Sequence, residues 1–275
     1  MTLRCAVIGD PIAHSRSPAI HARFAQDTGI ALDYRRCHVA AADLASFVER
    51  FFVEGGTGLN VTLPHKQAVM RLCAAVAPAA QRAGSVNTLL HGEAGIEGES
   101  TDGPGLVADL ERLGAPLQGQ RIALIGAGGA ARGVVEALLA TAPAELIWCH
   151  RDPAKLTTPA AEFSHLGPLR IGHTGDFAQA QCALVLHATA AGHSGQAPTL
   201  PAGLLAAGGW AYDLSYGAAA MPFLDWARAQ GAGQTADGMG MLIEQAALSF
   251  ARWTGVIPDT RPVHALHGGA PAAAH

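Results

Sequence analysis

The sequence predicts an α/β protein of two domains, and three features predict it. Short apolar runs alternate with longer stretches of helical periodicity, the pattern of strands joined by crossover helices in a mostly parallel sheet. The pattern restarts after Asp102, so the 275 residues divide into two such units. Hydrophobic residues make up 49% of the chain and aromatic residues only 5%, which favours closely packed helices and tight turns over an aromatic-rich sandwich.

In order, CAVIG (5–9) reads as a first strand. SPAIHARFAQDTG (17–29) reads as a helix, capped by Ser17, with Pro18 at its first position and Gly29 ending it. YRRCHV (34–39) is a second strand and AADLASFVERFFVEG a second helix. GLNVTL (58–63) is a third strand, with Leu59, Val61 and Leu63 alternating with polar partners; HKQAVMRLCAAVAP then begins another helical stretch. SVNTLLH and the Gly/Glu-rich turn after it suggest short strands.

Past Asp102, DGPGLVADLERLG is helical, RIALIG (121–126) a strand, GGAARGVVEALLAT a helix and ELIWCHR (145–151) a strand. CALVLHAT (182–189) and WAYDLSY (210–216) are further strands, followed by a helix at MPFLDWARAQG. GMGMLIEQAALSFARWTG (238–255) is a strongly amphipathic helix whose Met241, Ile243, Leu248 and Phe250 can face a core. The tail from Pro262 shows no periodicity and is expected to be mobile.

Composition excludes several classes of function. A net charge of -4 offers no basic stripe for nucleic acid, and no apolar run is long enough to span a membrane or form a signal-peptide core. The five cysteines are odd in number, widely spaced and without a C-x-x-C pair, so they read as free thiols of a reducing, cytoplasmic compartment. The thirteen histidines include no H-E-x-x-H, and no metal is expected.

The sharpest local motif is RIALIGAGGAARGVVEALL: a strand, then GAGGAA, then a helix. Gly126, Gly128 and Ala131 hold the three small positions of a dinucleotide fingerprint: a tight turn, close approach to a pyrophosphate, and close helix–strand packing. The helix N-terminus adds free N–H groups and a positive dipole end. The next strand runs into WCHRDPAKL, where a basic residue pairs with a 2′-phosphate and an acidic one binds ribose hydroxyls. Arg151 and Lys155 stand on one side of that choice and Asp152 on the other, so NADP and NAD both stay open here.

A second constellation is Lys66, which follows the third strand, and Asp102, which opens the first helix of the second unit. Ligands of open parallel sheets lie beyond the carboxyl ends of the strands, so both are expected at a crevice between the units. There a lysine–aspartate pair can exchange a proton with an oxygen while a cofactor moves a hydride.

Together these motifs resemble the shikimate dehydrogenase family, with its quinate/shikimate dehydrogenases. The resemblance runs from Val7 to Gly255 through VIGDPIAHSRSPAIH, GLNVTLPHK, GSVNTLL, STDGPG, GAGGAAR, HATAAG, YDLSY and GMGMLIEQAALSFARWTG. It implies an N-terminal, mostly parallel α/β substrate domain (residues 1–101 with 237–275) and a Rossmann NAD(P)-binding domain (102–236). It implies Lys66 and Asp102 as the catalytic pair, and Ser15, Ser17, Thr62, Asn87, Tyr216 and Gln245 as further substrate-binding residues. Gly126, Ala127, Gly128, Gly129, Ala130 and Ala131 would cradle the pyrophosphate. His150, Arg151, Asp152 and Lys155 would face the adenine ribose, and Thr189, Leu214 and Gly238 the nicotinamide. The implied reaction is reversible, NADPH-dependent reduction of 3-dehydroshikimate to shikimate by a monomer or homodimer whose partner is that small molecule.

Seven positions depart from the family pattern. Ala22 follows His21 where Asn is usual, Ser100 opens the N-T-D segment, and His187 replaces the Asn of N-A-T. Gly217 and Ala218 replace the end of Y-N-P, Pro78 stands at an acidic position, and Asp152 follows Arg151 where Thr or Ser is usual. Two rival readings stay open: an NAD-using quinate/shikimate dehydrogenase, and a catalytically silent ligand-binding regulator of the same fold.

Overall fold

The computed structural model describes residues 2–189 and 195–267, in two compact units, Met1–Gly105 with Leu242–His275 and Leu106–Met241. Ala190, Ala191 and Gly192 of the HATAAG segment lie outside the described residues.

The first unit is a six-stranded sheet in the order β2-β1-β3-β5-β6-β4, formed by β1 (Leu3–Gly9), β2 (Leu32–His38), β3 (Gly58–Val61), β4 (Ala75–Val76), β5 (Thr88–Gly92) and β6 (Gly95–Glu99). β1 pairs in parallel with β2 and β3, and β4 with β6, whereas β5 runs antiparallel to both β3 and β6. That inserted antiparallel strand is the feature that periodicity does not reveal. It sends the start of β5 and the end of β6 to the carboxyl end of β3, with Asn60 opposite Thr88 and Thr88 opposite Glu99.

Alternating side chains of the sheet face two layers. On one side Ala6, Ile8, Leu59 and Val61 meet Leu44, Val48 and Phe52 of α2 (Leu44–Val53). On the other, α1 (Ser17–Thr28) and α8 (Met239–Thr254) bring together the rings of His21, Phe24, Tyr34, Phe250 and Trp253. Trp253 lies directly on Gly58, where a Cβ would come within 2.1 Å of its indole nitrogen, and that nitrogen donates to the Leu89 carbonyl.

The second unit is an all-parallel sheet in the order β12-β11-β10-β7-β8-β9, from β7 (Arg121–Ile125), β8 (Glu145–His150), β9 (Leu169–His173), β10 (Cys182–His187), β11 (Leu205–Asp213) and β12 (Gln234–Asp237). Its order reverses between β7 and β10, as in doubly wound dinucleotide folds. The strands are apolar on both faces because both are covered. One side buries Val134, Val135, Leu138 and Leu139 of α5 (Gly129–Ala140), together with Trp148 and Phe163. The other buries Phe177 with Phe223, Leu224 and Ala227 of α7 (Met221–Ala229).

Several elements differ from expectation. Ser17 is the first residue of α1 rather than its cap, and its N–H is received by the Ser15 hydroxyl at 3.3 Å. β3 ends at Val61, and Leu63 is 65% exposed, because the chain turns there rather than continuing as a strand. The stretch after Lys66 is a short 3-10 turn, Ala68–Leu72, followed by β4 and α3 (Pro78–Ala83). The tail carries a helix, α9 (Arg261–His267), pinned by His264 to Glu244 at 2.7 Å. The patterns of α6 (Ala154–Ala161), β9 and β12 were too short or too polar to read as elements.

His21 is fully buried, stacked 4.1 Å from the Tyr34 ring, and neither ring nitrogen has a hydrogen-bond partner. Burial pushes its pKa down to about 3, so it is neutral in the fold. Between that value and the unfolded value near 6.5 the unfolded chain binds the extra proton, so stability falls as pH falls. Each pH unit in that window costs about 1.4 kcal/mol. Denaturant midpoints of the wild type are expected to drop between pH 6.5 and 4.5 by an amount that His21→Phe, which keeps a stacked ring, largely abolishes; parallel pH profiles would refute this role.

Candidate active site

The end of β3 is fixed before any charge arrives. The Thr62 N–H donates to Ile8 at 3.0 Å, and the Thr62 methyl packs over Gly9, where a Cβ would come within 2.6 Å of it. Past Pro64 the buried His65 ring is hydrogen-bonded at 2.7 Å to the Val39 carbonyl, and Val86 N–H bonds the Lys66 carbonyl at 2.9 Å. Lys66 therefore leaves a rigid turn, its side chain 18% exposed, and its Nζ donates to Asp102 Oδ2 at 2.6 Å. Asp102 is the first residue of α4 (Asp102–Leu113), where a carboxylate also suits the helix dipole.

The other carboxylate oxygen is held from the side. Asn87 Nδ2 donates to Asp102 Oδ1 at 2.9 Å and lies 2.9 Å from Thr101 Oγ1 and 3.1 Å from Gln245 Oε1. Asn87 Oδ1 accepts from the Thr101 N–H and the Thr88 hydroxyl. Gln245, on α8, is oriented by its own amide donating to Leu242 at 2.8 Å. The network continues away from the charges. Thr88 meets Ser249 at 2.8 Å, Asn60 donates to Ser249 at 3.0 Å, and the Tyr34 hydroxyl donates to Asn60 at 2.7 Å. Burial pushes the Tyr34 phenol well above its usual range, so it remains a neutral donor.

The first unit thus joins Lys66, Asp102, Asn87 and Gln245 in one polar network, while Thr62 stands at the mouth of the same strand end and Ser15 is bonded to Ser17 at the start of α1. Tyr34, Asn60, Thr88, Thr101 and Ser249 also belong to it and were not read from sequence. The only signal was their polarity inside otherwise apolar segments. Ser100 has a buried hydroxyl without a partner, and nothing in the structure explains the residue there.

In the second unit the glycine turn lies at the end of β7. Gly126 has φ +133, and a Cβ there would meet the Ala188 carbonyl oxygen at 2.6 Å, so only glycine fits. The Trp148 indole donates to the Gly126 carbonyl at 2.6 Å and holds the turn. A Cβ on Gly128 would meet nothing within 4 Å, so its backbone faces open space. Ala127 leads into it. The first intrahelical bond of α5 is Arg132 N–H to Gly128, which leaves the N–H groups of Gly129, Ala130 and Ala131 for a ligand. This room and this row of donors fit a pyrophosphate. Arg132, which the sequence reading passed over, has its Nε buried without a partner beside this turn.

At the end of β8, the Asp152 N–H donates to His150 Nδ1 at 3.0 Å. Arg151, Asp152 and Lys155 are exposed, and among the described residues neither Arg151 nor Lys155 forms an ion pair. Thr189 follows β10 and meets His187 Nε2 at 2.7 Å. Leu214 and Gly238 lie against each other, with the Gly238 N–H bonded to Ser215 at 2.8 Å. Tyr216 also lies in this second unit, after β11.

Residues 7–89 match the model of the shikimate dehydrogenase substrate binding domain, and residues 238–266 that of the shikimate 5′-dehydrogenase C-terminal domain. The chain is 47% identical over 265 residues to the NADP(+) shikimate dehydrogenase of Alkalilimnicola ehrlichii, covering 96% of this chain and 97% of that one. An Ael1 enzyme from Pseudomonas putida superposes with a TM-score of 0.90 at 41% identity, covering 96% and 98% of the two chains. Shikimate 5-dehydrogenase from Thermus thermophilus, solved with NADP(H) and shikimate, superposes with a TM-score of 0.84 at 35% identity, covering 94% and 96%.

Removing the Asn87 side chain strands the Thr101 N–H, takes one acceptor from the Thr88 hydroxyl, which keeps Ser249, and leaves Asp102 Oδ1 without its amide donor. Asn87→Ala is expected to lower unfolding stability by about 2 kcal/mol, measured by urea denaturation, because buried donors and acceptors lose partners. An unchanged midpoint would show that water replaces the amide at no cost.

Proposed function

The chain belongs to the shikimate dehydrogenase family, and from that premise we propose that it catalyses the reversible, NADPH-dependent reduction of 3-dehydroshikimate to shikimate in aromatic amino acid biosynthesis. The observation that carries the proposal is the 2.6 Å contact of Lys66 Nζ with Asp102, at a strand end surrounded by neutral hydroxyls and amides. Such a set suits a polyhydroxylated ring acid. Neutral Thr62, Asn87 and Gln245 can pair with ring hydroxyls, and Ser15 and Ser17 can donate to the carboxylate without a competing ion pair.

In this reading Lys66 carries the proton at Nζ and gives it to the substrate oxygen as the carbonyl is reduced. Asp102 holds the ammonium in place and accepts from the neighbouring ring hydroxyl. Asn87 fixes the carboxylate through its second oxygen, so one Asp102 oxygen serves the lysine while the other is anchored. In the oxidative direction Lys66 takes up the proton of the hydroxyl.

The second unit would hold the cofactor, which supplies the hydride when bound. The turn Gly126 to Ala131 and the free N–H groups of α5 would receive the pyrophosphate. Arg151 and Lys155, free of ion pairs among the described residues, would receive the 2′-phosphate. Asp152 does not neutralise Arg151, and for this reason we favour NADP over NAD. Three of the five free cysteines are buried with their thiols pushed up to about 12, which suits a reducing compartment, and we place the enzyme in the cytoplasm.

The test is steady-state oxidation of shikimate and of quinate, each with NADP and with NAD, for the wild type and Arg151→Ala. Shikimate with NADP is expected to be the preferred pair. Arg151→Ala is expected to raise KM for NADP by about tenfold, the worth of a charge-assisted hydrogen bond, and to leave NAD unaffected. Preference for quinate with NAD would favour the catabolic reading, and no turnover in any combination would favour a silent regulator.

A further inference from the structure

Neutral side chains from four elements lead from the aromatic layer of the first unit to Asp102. Tyr34 lies on β2, Asn60 on β3, Ser249 on α8, Thr88 on β5 and Asn87 just before it. The Tyr34 hydroxyl is 2.7 Å from Asn60 Oδ1, and Asn60 Nδ2 is 3.0 Å from Ser249 Oγ. Ser249 Oγ is 2.8 Å from Thr88 Oγ1, and Thr88 Oγ1 is 2.8 Å from Asn87 Oδ1. Asn87 Nδ2 then reaches Asp102 Oδ1 at 2.9 Å. Asn60, Ser249, Thr88 and Asn87 are all buried.

Main-chain groups fix the direction of every hydrogen along this path. The Thr101 N–H can only donate, and it meets Asn87 Oδ1 at 2.9 Å, so the Asn87 amide nitrogen faces Asp102. An amide oxygen only accepts, so the Thr88 hydroxyl gives its one hydrogen to Asn87 Oδ1. In the contact between Thr88 and Ser249 the donor is therefore Ser249. The Asn87 main-chain carbonyl can only accept, and Asn60 Nδ2 lies 3.2 Å from it, so Asn60 turns its oxygen to Tyr34. The phenol, kept protonated by burial, donates into it. The result is a one-way relay in which each group accepts from the one before and donates to the next, ending on Asp102. Hydrogen bonds ordered in this way polarise one another, so the last N–H is a stronger donor than an isolated amide.

We propose that Tyr34, Asn60, Ser249 and Thr88 are positioning residues that act in series on Asp102, fixing its Oδ1 so that Oδ2 stays turned to Lys66. This rests on the reading of Lys66 and Asp102 as the proton-transfer pair. Among the described residues none of the four hydrogen-bonds Lys66 or Asp102, so their effect reaches the pair through Asn87. Thr88 is the link that carries the other three. In Thr88→Val the Ser249 hydroxyl still has the Gln245 carbonyl at 3.1 Å, and Asn87 Oδ1 keeps the Thr101 N–H, so the relay is cut with no group stranded.

The experiment is steady-state oxidation of shikimate with NADP by wild type, Tyr34→Phe, Ser249→Ala, Thr88→Val, Thr88→Ser and the double variant Tyr34→Phe/Thr88→Val. Tyr34→Phe keeps the ring stacked on His21 and removes only the donor. Turnover is expected to fall about threefold in Tyr34→Phe and Ser249→Ala and about tenfold in Thr88→Val, the scale of one hydrogen bond, with KM for NADP within about twofold of wild type. Thr88→Ser, which returns the hydroxyl, recovers most of the loss. Because the groups act in series, adding Tyr34→Phe to Thr88→Val lowers turnover no further. Equal factors for Tyr34→Phe on both backgrounds would make the contributions independent and overturn the relay. Unaltered turnover in Thr88→Val, or a Thr88→Ser no better than Thr88→Val, would overturn it too. Should Thr88→Val not fold, Ser249→Ala serves as the interrupting variant in the same comparison, with the same two outcomes. If wild type oxidises neither shikimate nor quinate with either cofactor, the reading of the catalytic pair fails and the relay falls with it. If wild type is active and Tyr34→Phe acts independently of the cut, the relay alone fails.

Discussion

The ion pair between Lys66 and Asp102 is the interaction around which the first unit is organised. A lysine and an aspartate with side chains 18% and 6% exposed are costly to desolvate, and such a pair is favourable only when its remaining hydrogen-bonding capacity is met. Here Asn87 meets that demand on Asp102, and Thr101, Thr88 and Gln245 in turn hold Asn87. The antiparallel β5 makes this arrangement available. It returns the chain so that the entry to β5 and the exit from β6 both lie beside the exit of β3, and three residues separated by 21 and 15 positions converge on one sheet edge.

The two units solve their binding problems differently. The second relies on backbone: a glycine turn held by Trp148, a helix N-terminus, and two cations without partners among the described residues. Such a set suits an anion. The first relies on side chains that are almost all neutral, with a single ion pair placed among them, which suits a ligand dense in hydroxyl groups. The aromatic layer beneath it tolerates a neutral, unpartnered His21, so that unit keeps one buried polar ring at the expense of stability in acid.

How much of this was legible in the sequence depended on the range of the interaction. The glycine turn is local, and its strand, turn and helix could be read directly from RIALIGAGGAAR. Lys66 and Asp102 were legible as chemically out of place, one after a strand and one at a helix start. Leu63 was misread because alternation continues by chance past the point where the chain turns. Asn87 was named through the resemblance alone, and its place as a hub, with its supports Asn60, Tyr34 and Ser249, was not legible. Their meeting depends on an antiparallel pairing and on a C-terminal helix more than 150 residues away in the chain, to which no local pattern points. His187 was visible as a departure, but its contacts with Asp213 and Thr189 on either side of the ring were not.

The most direct test of the account is turnover of Lys66→Ala with shikimate and NADP, alongside its NADPH dissociation constant. If Lys66 moves the proton, turnover falls by about a thousandfold while NADPH affinity stays within about twofold of wild type. Near-normal turnover in a folded Lys66→Ala protein would contradict the assignment of this ion pair as the catalytic centre.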